Sequence, residues 1–157
     1  MKANIGIAEK DSKAVALILN KLLANEFVLY SKTRNYHWNI ESPSFMELHK
    51  FYEAQYTELA TIIDEVAERV RKIGHYAEGR LKDFLKLTDL EEGEYTDNQK
   101  TQIGNLLDDH ETLARTIRNQ VSTVEEKHKD IGTADFLTGV LKQHETMAWM
   151  LRSYLKK

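Results

Sequence analysis

Residues 36–53 read YHWNIESPSFMELHKFYE, and the fold follows from the break in their middle. Upstream, Val15, Leu19, Leu22, Phe27, Leu29 and Tyr30 recur near helical spacing. Downstream, Phe45, Tyr52, Tyr56, Leu59, Ile63, Val66 and Val70 do the same. Between them lies NIESPS, which carries the chain's one proline, Pro43. A first helix over about Ser12 to Trp38 is therefore followed by a short turn and a second helix. The second helix starts with Pro43 at its first position and Ser42 as N-cap, or with Ser44 and Glu47 as a capping box. It stops before Gly74. Two long helices joined by so short a link lie antiparallel.

Beyond this hairpin, residues 73–95 contain three glycines and room for one short helix, RLKDFLKL. A third long helix begins near Thr96, where Thr96 and Gln99 match a capping box, and runs to about Lys127. The break KDIGT follows. A fourth helix from near Thr133 carries Phe136, Leu137, Val140, Leu141, Met147, Ala148 and Leu151. The connection between helices two and three exceeds twenty residues, enough to run back along the bundle and make them parallel. The expected fold is all-α: a ferritin-like four-helix bundle with one long crossover carrying a short extra helix.

Composition sets the outer bounds. The 157 residues suit one domain, 1–157, with residues 1–11 as a flexible N-terminal tail. Apolar residues at 41% and charged residues at 30% fit a soluble globular chain. Cysteine is absent, which excludes disulfides and thiolate metal sites. The start MKANIGIAEKDSKA has no apolar h-region, and no run reads as a membrane span, so a cytoplasmic location is expected. The net charge of −3 attracts neither nucleic acid nor an anionic membrane. Basic arms are limited to Lys2, Lys10 and Lys13 at the front and Lys156 and Lys157 at the back, and Glu9 and Asp11 offset the first group. DNA binding is expected to be weak or absent near physiological salt.

Helix two carries four potential metal ligands: His49, Glu53, Asp64 and Glu68. Steps of four, eleven and four residues place them within roughly a 100° sector beside the apolar stripe. They cannot serve one centre in one chain, because the two pairs stand roughly 22 Å apart along the helix. Their numbering is symmetric, however: 49 with 68 and 53 with 64 share the midpoint 58.5. If helix two packs antiparallel on its own copy across a two-fold axis near residues 58–59, His49 and Glu53 of one chain meet Glu68 and Asp64 of the other, twice per dimer. The short turn returns His37 beside the start of helix two. Two imidazoles and three carboxylates suit Fe(II), Mn(II) or Zn(II). The ordinary alternatives are that the histidines pack or cap, that Asp64 and Glu68 pair with Arg69, Arg71 or Lys72 on a solvated face, and that Tyr52, Tyr56 and Trp38 only pack.

The stretch KTRNYHWNIESPSFMELHKFYEAQY, followed by IDEVAERV, resembles the signature of the Dps proteins, the twelve-subunit mini-ferritins, and DIGTADFLTG with HETMAWMLR resembles their last helix. The resemblance implies a hollow dodecameric shell with ferroxidase centres at two-fold interfaces. It places the metal ligands on His37, His49, Glu53, Asp64 and Glu68, with two irons per site. At the third position the family often has Asp where this chain has Glu53, and Ser42 stands where many relatives have glycine. The implied chemistry is oxidation of Fe(II), preferably by hydrogen peroxide, with ferric mineral stored inside. Coordination needs neutral imidazoles, so activity should fall in acid. Trp38 resembles a tryptophan that intercepts oxidising equivalents; Trp149 has no assigned role. Asp130 and Asp135 match acidic residues lining iron pores of relatives, although a turn accounts for Asp130 and the first turn of a helix for Asp135 equally well. A larger ferritin would hold its metals inside one bundle, normally with two Glu-x-x-His motifs. Only Glu125–His128 has that spacing, in the charged run EEKHKD, where a surface position is expected. The remaining rivals are a DNA-compacting nucleoid protein and an inert helical bundle.

Overall fold

The computed structural model describes residues 3–155; Lys2, Lys156 and Lys157 of the basic arms lie outside the described residues. Five α-helices follow in order: α1 Glu9–Asn39, α2 Phe45–Lys72, α3 Leu81–Leu87, α4 Gln99–Ser122 and α5 Ile131–Tyr154. A π-helical turn, Thr123–Lys127, extends α4, so the helical path ends where the sequence places it. The helix α1 begins three residues before Ser12, and Glu9 and Asp11 occupy its first turn, where the macrodipole favours acidic groups. Lys10 and Lys13 are thus helical residues rather than parts of a loose arm.

Cross-helix contacts fix the topology. His37 meets His49 and Tyr30 meets Tyr56, so α1 and α2 are antiparallel. Lys32 bonds Asp109 and Tyr36 accepts from Asn105, so α1 and α4 are antiparallel as well. The helices α2 and α4 therefore run parallel. The crossover returns to the start of α2, where the Glu41 amide donates to the Asp97 carbonyl at 3.2 Å. Two asparagines of α1 strap the crossover down. Asn20 bonds the Tyr76 carbonyl and the Glu78 amide, and Asn25 accepts from Thr88 and the Asp89 amide. Phe84 of α3 stacks on Phe27 with centroids 4.7 Å apart. The arrangement is a ferritin-like four-helix bundle with one long crossover.

The core is a single apolar cluster running the bundle's length, from Val15 and Leu19 through Leu48, Leu59 and Val66 to Ile117 and Leu151. By length and composition α1 is apolar enough to cross a membrane, which the sequence reading did not anticipate. Most of that stretch is buried: α1 faces α2, α3 and α4 at once, so apolar residues occupy more than one stripe. The helix α2 ends at Gly74, whose φ of +90° leaves no room for a side chain; a Cβ there would stand 2.9 Å from that of Ala3. The His75 amide bonds the Val70 carbonyl and the Gly74 amide that of Arg71, closing the helix in a Schellman turn.

Two expected caps differ, and the last helix starts earlier than expected. At α2, Ser44 is the N-cap residue but makes no side-chain cap, and Ser42 Oγ accepts from the Ser44 amide instead. Glu47 is drawn away by the Tyr154 hydroxyl, 2.6 Å from its carboxylate. At α4 the cap is Asn98, whose side chain accepts from the Thr101 amide, while Thr96 supports Asn98. At α5 the cap is Asp130, two residues earlier than the expected start allowed.

Candidate metal centre

The two helices of the first hairpin bring His37, in the last turn of α1, against His49, one turn into α2. The rings stack with centroids 3.7 Å apart and planes 16° apart. His37 Nδ1 lies 2.7 Å from the His49 carbonyl, and His49 Nδ1 lies 2.8 Å from the His37 carbonyl. A carbonyl only accepts, so each Nδ1 carries a proton, and a neutral ring then keeps its lone pair on Nε2. This reciprocal bond selects, for the neutral rings, the tautomer whose Nε2 atoms could coordinate a metal. Tyr56 meets the His37 ring edge-on at 5.1 Å, and Phe45 stacks on His49 at 5.1 Å. The pair is thus held from both sides, and His37 is only 7% exposed.

The carboxylates behave differently. Glu53, one turn past His49, is exposed, as are Asp64 and Glu68. Glu68 accepts from Lys72 at 3.0 Å, both side chains in solvent, a contact worth little. Among the described residues, no three histidine, aspartate or glutamate side chains converge on one point. One chain therefore assembles the two histidines and leaves the three acids along the open face of α2. Between Glu53 and Asp64 that face shows Ala54, Thr57, Ala60 and Thr61, all exposed and all small enough to let another helix approach closely.

Trp38 is 63% exposed beside this pair. The Arg34 guanidinium lies over the rings of Tyr56, Trp38 and Tyr30, at 4.6, 5.2 and 5.6 Å, and donates to the Tyr30 hydroxyl. In the sequence Tyr30 and Tyr56 read as members of apolar stripes, and Arg34 has no assigned role. The four-residue steps from Tyr30 to Arg34 to Trp38 were the available signal, one stripe of α1. Tyr52 is fully buried.

The remaining candidates are placed as follows. Asp130 is 2% exposed; one carboxylate oxygen accepts from the Thr133 amide and Arg69, the other from the Thr133 hydroxyl. Both oxygens are committed to capping α5 and tying it to α2. Asp135 is exposed on the first turns of α5. Trp149 is exposed. Glu125 is exposed too, but His128 is turned inward to Asp11 at 3.0 Å, so the expected surface position holds only for the glutamate. A cluster in the bundle's interior was not foreseen at all: Glu26, His110 and His144 form a hydrogen-bonded chain with no exposure.

Comparison with known proteins agrees with this architecture. Residues 16–157 match the family model described as a ferritin-like domain. A low temperature-induced protein of Nostoc is 40% identical over 99% of this chain and 87% of its own length. The DNA protection during starvation protein 2 of Bacillus anthracis is 32% identical over 93% of this chain and 99% of its own. The crystal structure of the Dps protein of Vibrio cholerae superposes with a TM-score of 0.93 at 32% identity, covering 99% of this chain and 98% of that one. That protein is described as a member of a broad superfamily of ferritin-like diiron-carboxylate proteins.

Proposed function

The chain belongs to the Dps family of ferritin-like proteins, and from that premise we propose that it is a mini-ferritin that oxidises and stores iron. Fe(II) is the substrate. Hydrogen peroxide is the oxidant: two Fe(II), one peroxide and two protons give two Fe(III) and two waters. The ferroxidase centre forms where α2 of one chain lies antiparallel on α2 of its neighbour. His37, His49 and Glu53 come from one subunit, Asp64 and Glu68 from the other, and the set holds two irons.

One observation carries this reading: the reciprocal His37–His49 bond, which leaves two Nε2 lone pairs fixed at the edge of an open acidic face. Each Nε2 supplies a neutral donor, and the three carboxylates offset the charge that builds as Fe(II) becomes Fe(III). Small residues at the centre of α2 allow the close approach that the shared site needs. Exposed apolar groups on the single chain, Leu81 and Leu85 of α3 among them, fit a chain that buries more surface on assembly; the dodecamer is the assembly proposed. Trp38, at the site's outer edge, is placed to give up an electron when peroxide meets a half-filled site. Asp135 offers a carboxylate toward an iron route, and Asp130 acts on that route through its cap on α5.

The reading is tested by loading the protein with Fe(II) without oxygen, adding peroxide and following ferric absorbance. Oxidation faster than in protein-free buffer, consuming about one peroxide per two Fe(II), is the expected result. A rate and stoichiometry equal to the protein-free control overturn it. The alternative of a nucleoid-compacting protein has less support. The charge is −3, and Lys10 and Lys13 are held in a helix among acidic neighbours.

A further inference from the structure

The two helical hairpins meet at a chain of side chains that iron oxidation does not use. Glu26 of α1, His144 of α5 and His110 of α4 are each 0% exposed. Glu26 Oε1 lies 2.8 Å from His144 Nε2, and His144 Nδ1 lies 2.9 Å from His110 Nδ1. Two lone pairs cannot face each other at such distances, so one proton occupies each gap. Which atom owns each proton is a property of the coupled trio rather than of any one residue. With one more proton on His110 Nε2, the trio has no net charge: a carboxylate, a doubly protonated ring and a neutral ring, or their proton-shifted equivalents.

That state is the one a dry core favours, and it is saturated. Every ring nitrogen then carries or accepts a proton, and the atoms left over, His110 Nε2 and Glu26 Oε2, are buried without hydrogen-bond partners. A further proton puts an unpaired positive charge in the core. Among the described residues, no other charged group bonds the trio. The polar residues that α2 buries are Tyr52 and Gln55, both uncharged, and burial pushes the Tyr52 phenol pKa up. On α4, Asp109 is already taken by Lys32 at 2.6 Å. Consistently, burial first and His144 beside it second hold the His110 pKa well below the ordinary imidazole value of 6.5.

We propose that Glu26, His144 and His110 are an acid latch: while neutral the trio joins the α4–α5 hairpin to α1, and taking up one more proton releases it. The sign follows from linkage. The unfolded or opened chain accepts a proton on His110 near pH 6.5, and the closed core refuses it. Closure is therefore strongest near that value: above it the opened trio holds one proton fewer than the closed one and below it one more, so closure weakens as the pH falls. Removing the whole trio, Glu26→Leu with His110→Leu and His144→Leu, deletes the latch without stranding a partner.

The test compares folding constants of the wild type and the triple variant between pH 7.5 and 5.0. His37, His49, His75 and His128 are common to both, so their contributions cancel. Below pH 6.5 the wild-type constant should fall up to about tenfold more per pH unit than that of the variant. Parallel profiles overturn the proposal. Hydrogen exchange of the wild type alone gives a second reading that does not depend on the variant folding. With intrinsic rates corrected, residues 103–113 and 137–148 should lose protection relative to residues 62–70 as the pH drops from 6.5 to 5.0. Unchanged relative protection also overturns it.

Discussion

Replacing both site histidines, His37→Ala with His49→Ala, should cut peroxide-driven Fe(II) oxidation by about 100-fold or more, to the protein-free rate. The effect is large because the two rings act as one unit. Each ring's tautomer is set by the other's carbonyl, and the stack at 3.7 Å fixes the directions of both Nε2 atoms. Losing either ring removes the stack and leaves the other held only by its bond to a main-chain carbonyl, and losing both leaves only carboxylates. The fold should survive. The hairpin keeps its turn and its buried Ile40, Leu48 and Tyr52, and two lost hydrogen bonds cost about 1–3 kcal/mol together. Thermal unfolding by circular dichroism, run beside the oxidation assay, separates the two effects. An unfolded variant says nothing of the site; a folded variant with wild-type activity removes the histidines from it. The milder change Glu68→Gln is a useful companion. It breaks only a solvent-exposed pair with Lys72, so stability should hold while oxidation slows.

The second large effect is complementation. A variant lacking His37 and His49 and another lacking Asp64 and Glu68 should each be inactive alone. Co-assembled from an equal mixture of unfolded chains, they should recover about one quarter of wild-type activity. Half of all two-fold pairs are then mixed, and each mixed pair holds one intact site and one with neither half. That fraction is specific to a shared centre. A site built inside one chain gives no recovery from mixing, because every chain lacks part of it. Assembly is checked by size-exclusion chromatography, and the quarter is read from the initial rate of ferric absorbance. No recovery from properly assembled mixtures rules out the shared geometry.

Much of this was legible in the residues, and what was not has identifiable physical causes. The helices and the long crossover follow from apolar spacing and from the scarcity of breakers, both local properties. The caps went astray because tertiary partners compete for cap residues: Glu47 goes to Tyr154, 107 positions away, and no local rule anticipates that. The ligand spacing on α2 was readable as numbers. The His37–His49 stack was not, since it depends on the turn at residues 40–44 returning the chain at one particular angle. Asp130 was readable as a turn residue or as a pore acid, and its place as the α5 cap shows only once the helix start is seen. The Glu26–His144–His110 chain left least trace. Each residue is a single polar position inside an apolar stripe, on three different helices 34 to 118 positions apart, and only packing reveals that they touch.

The central claim is that one chain provides half of each metal centre. The most direct measurement is an anomalous difference map from crystals of the assembled protein loaded with Fe(II) without oxygen. Metal peaks are expected between the Nε2 atoms of His37 and His49 and the carboxylates of Asp64 and Glu68 of the partner subunit, with the two sites of a dimer about 22 Å apart. Peaks confined to one chain, or His37 and His49 with no metal while iron binds elsewhere, would contradict the account.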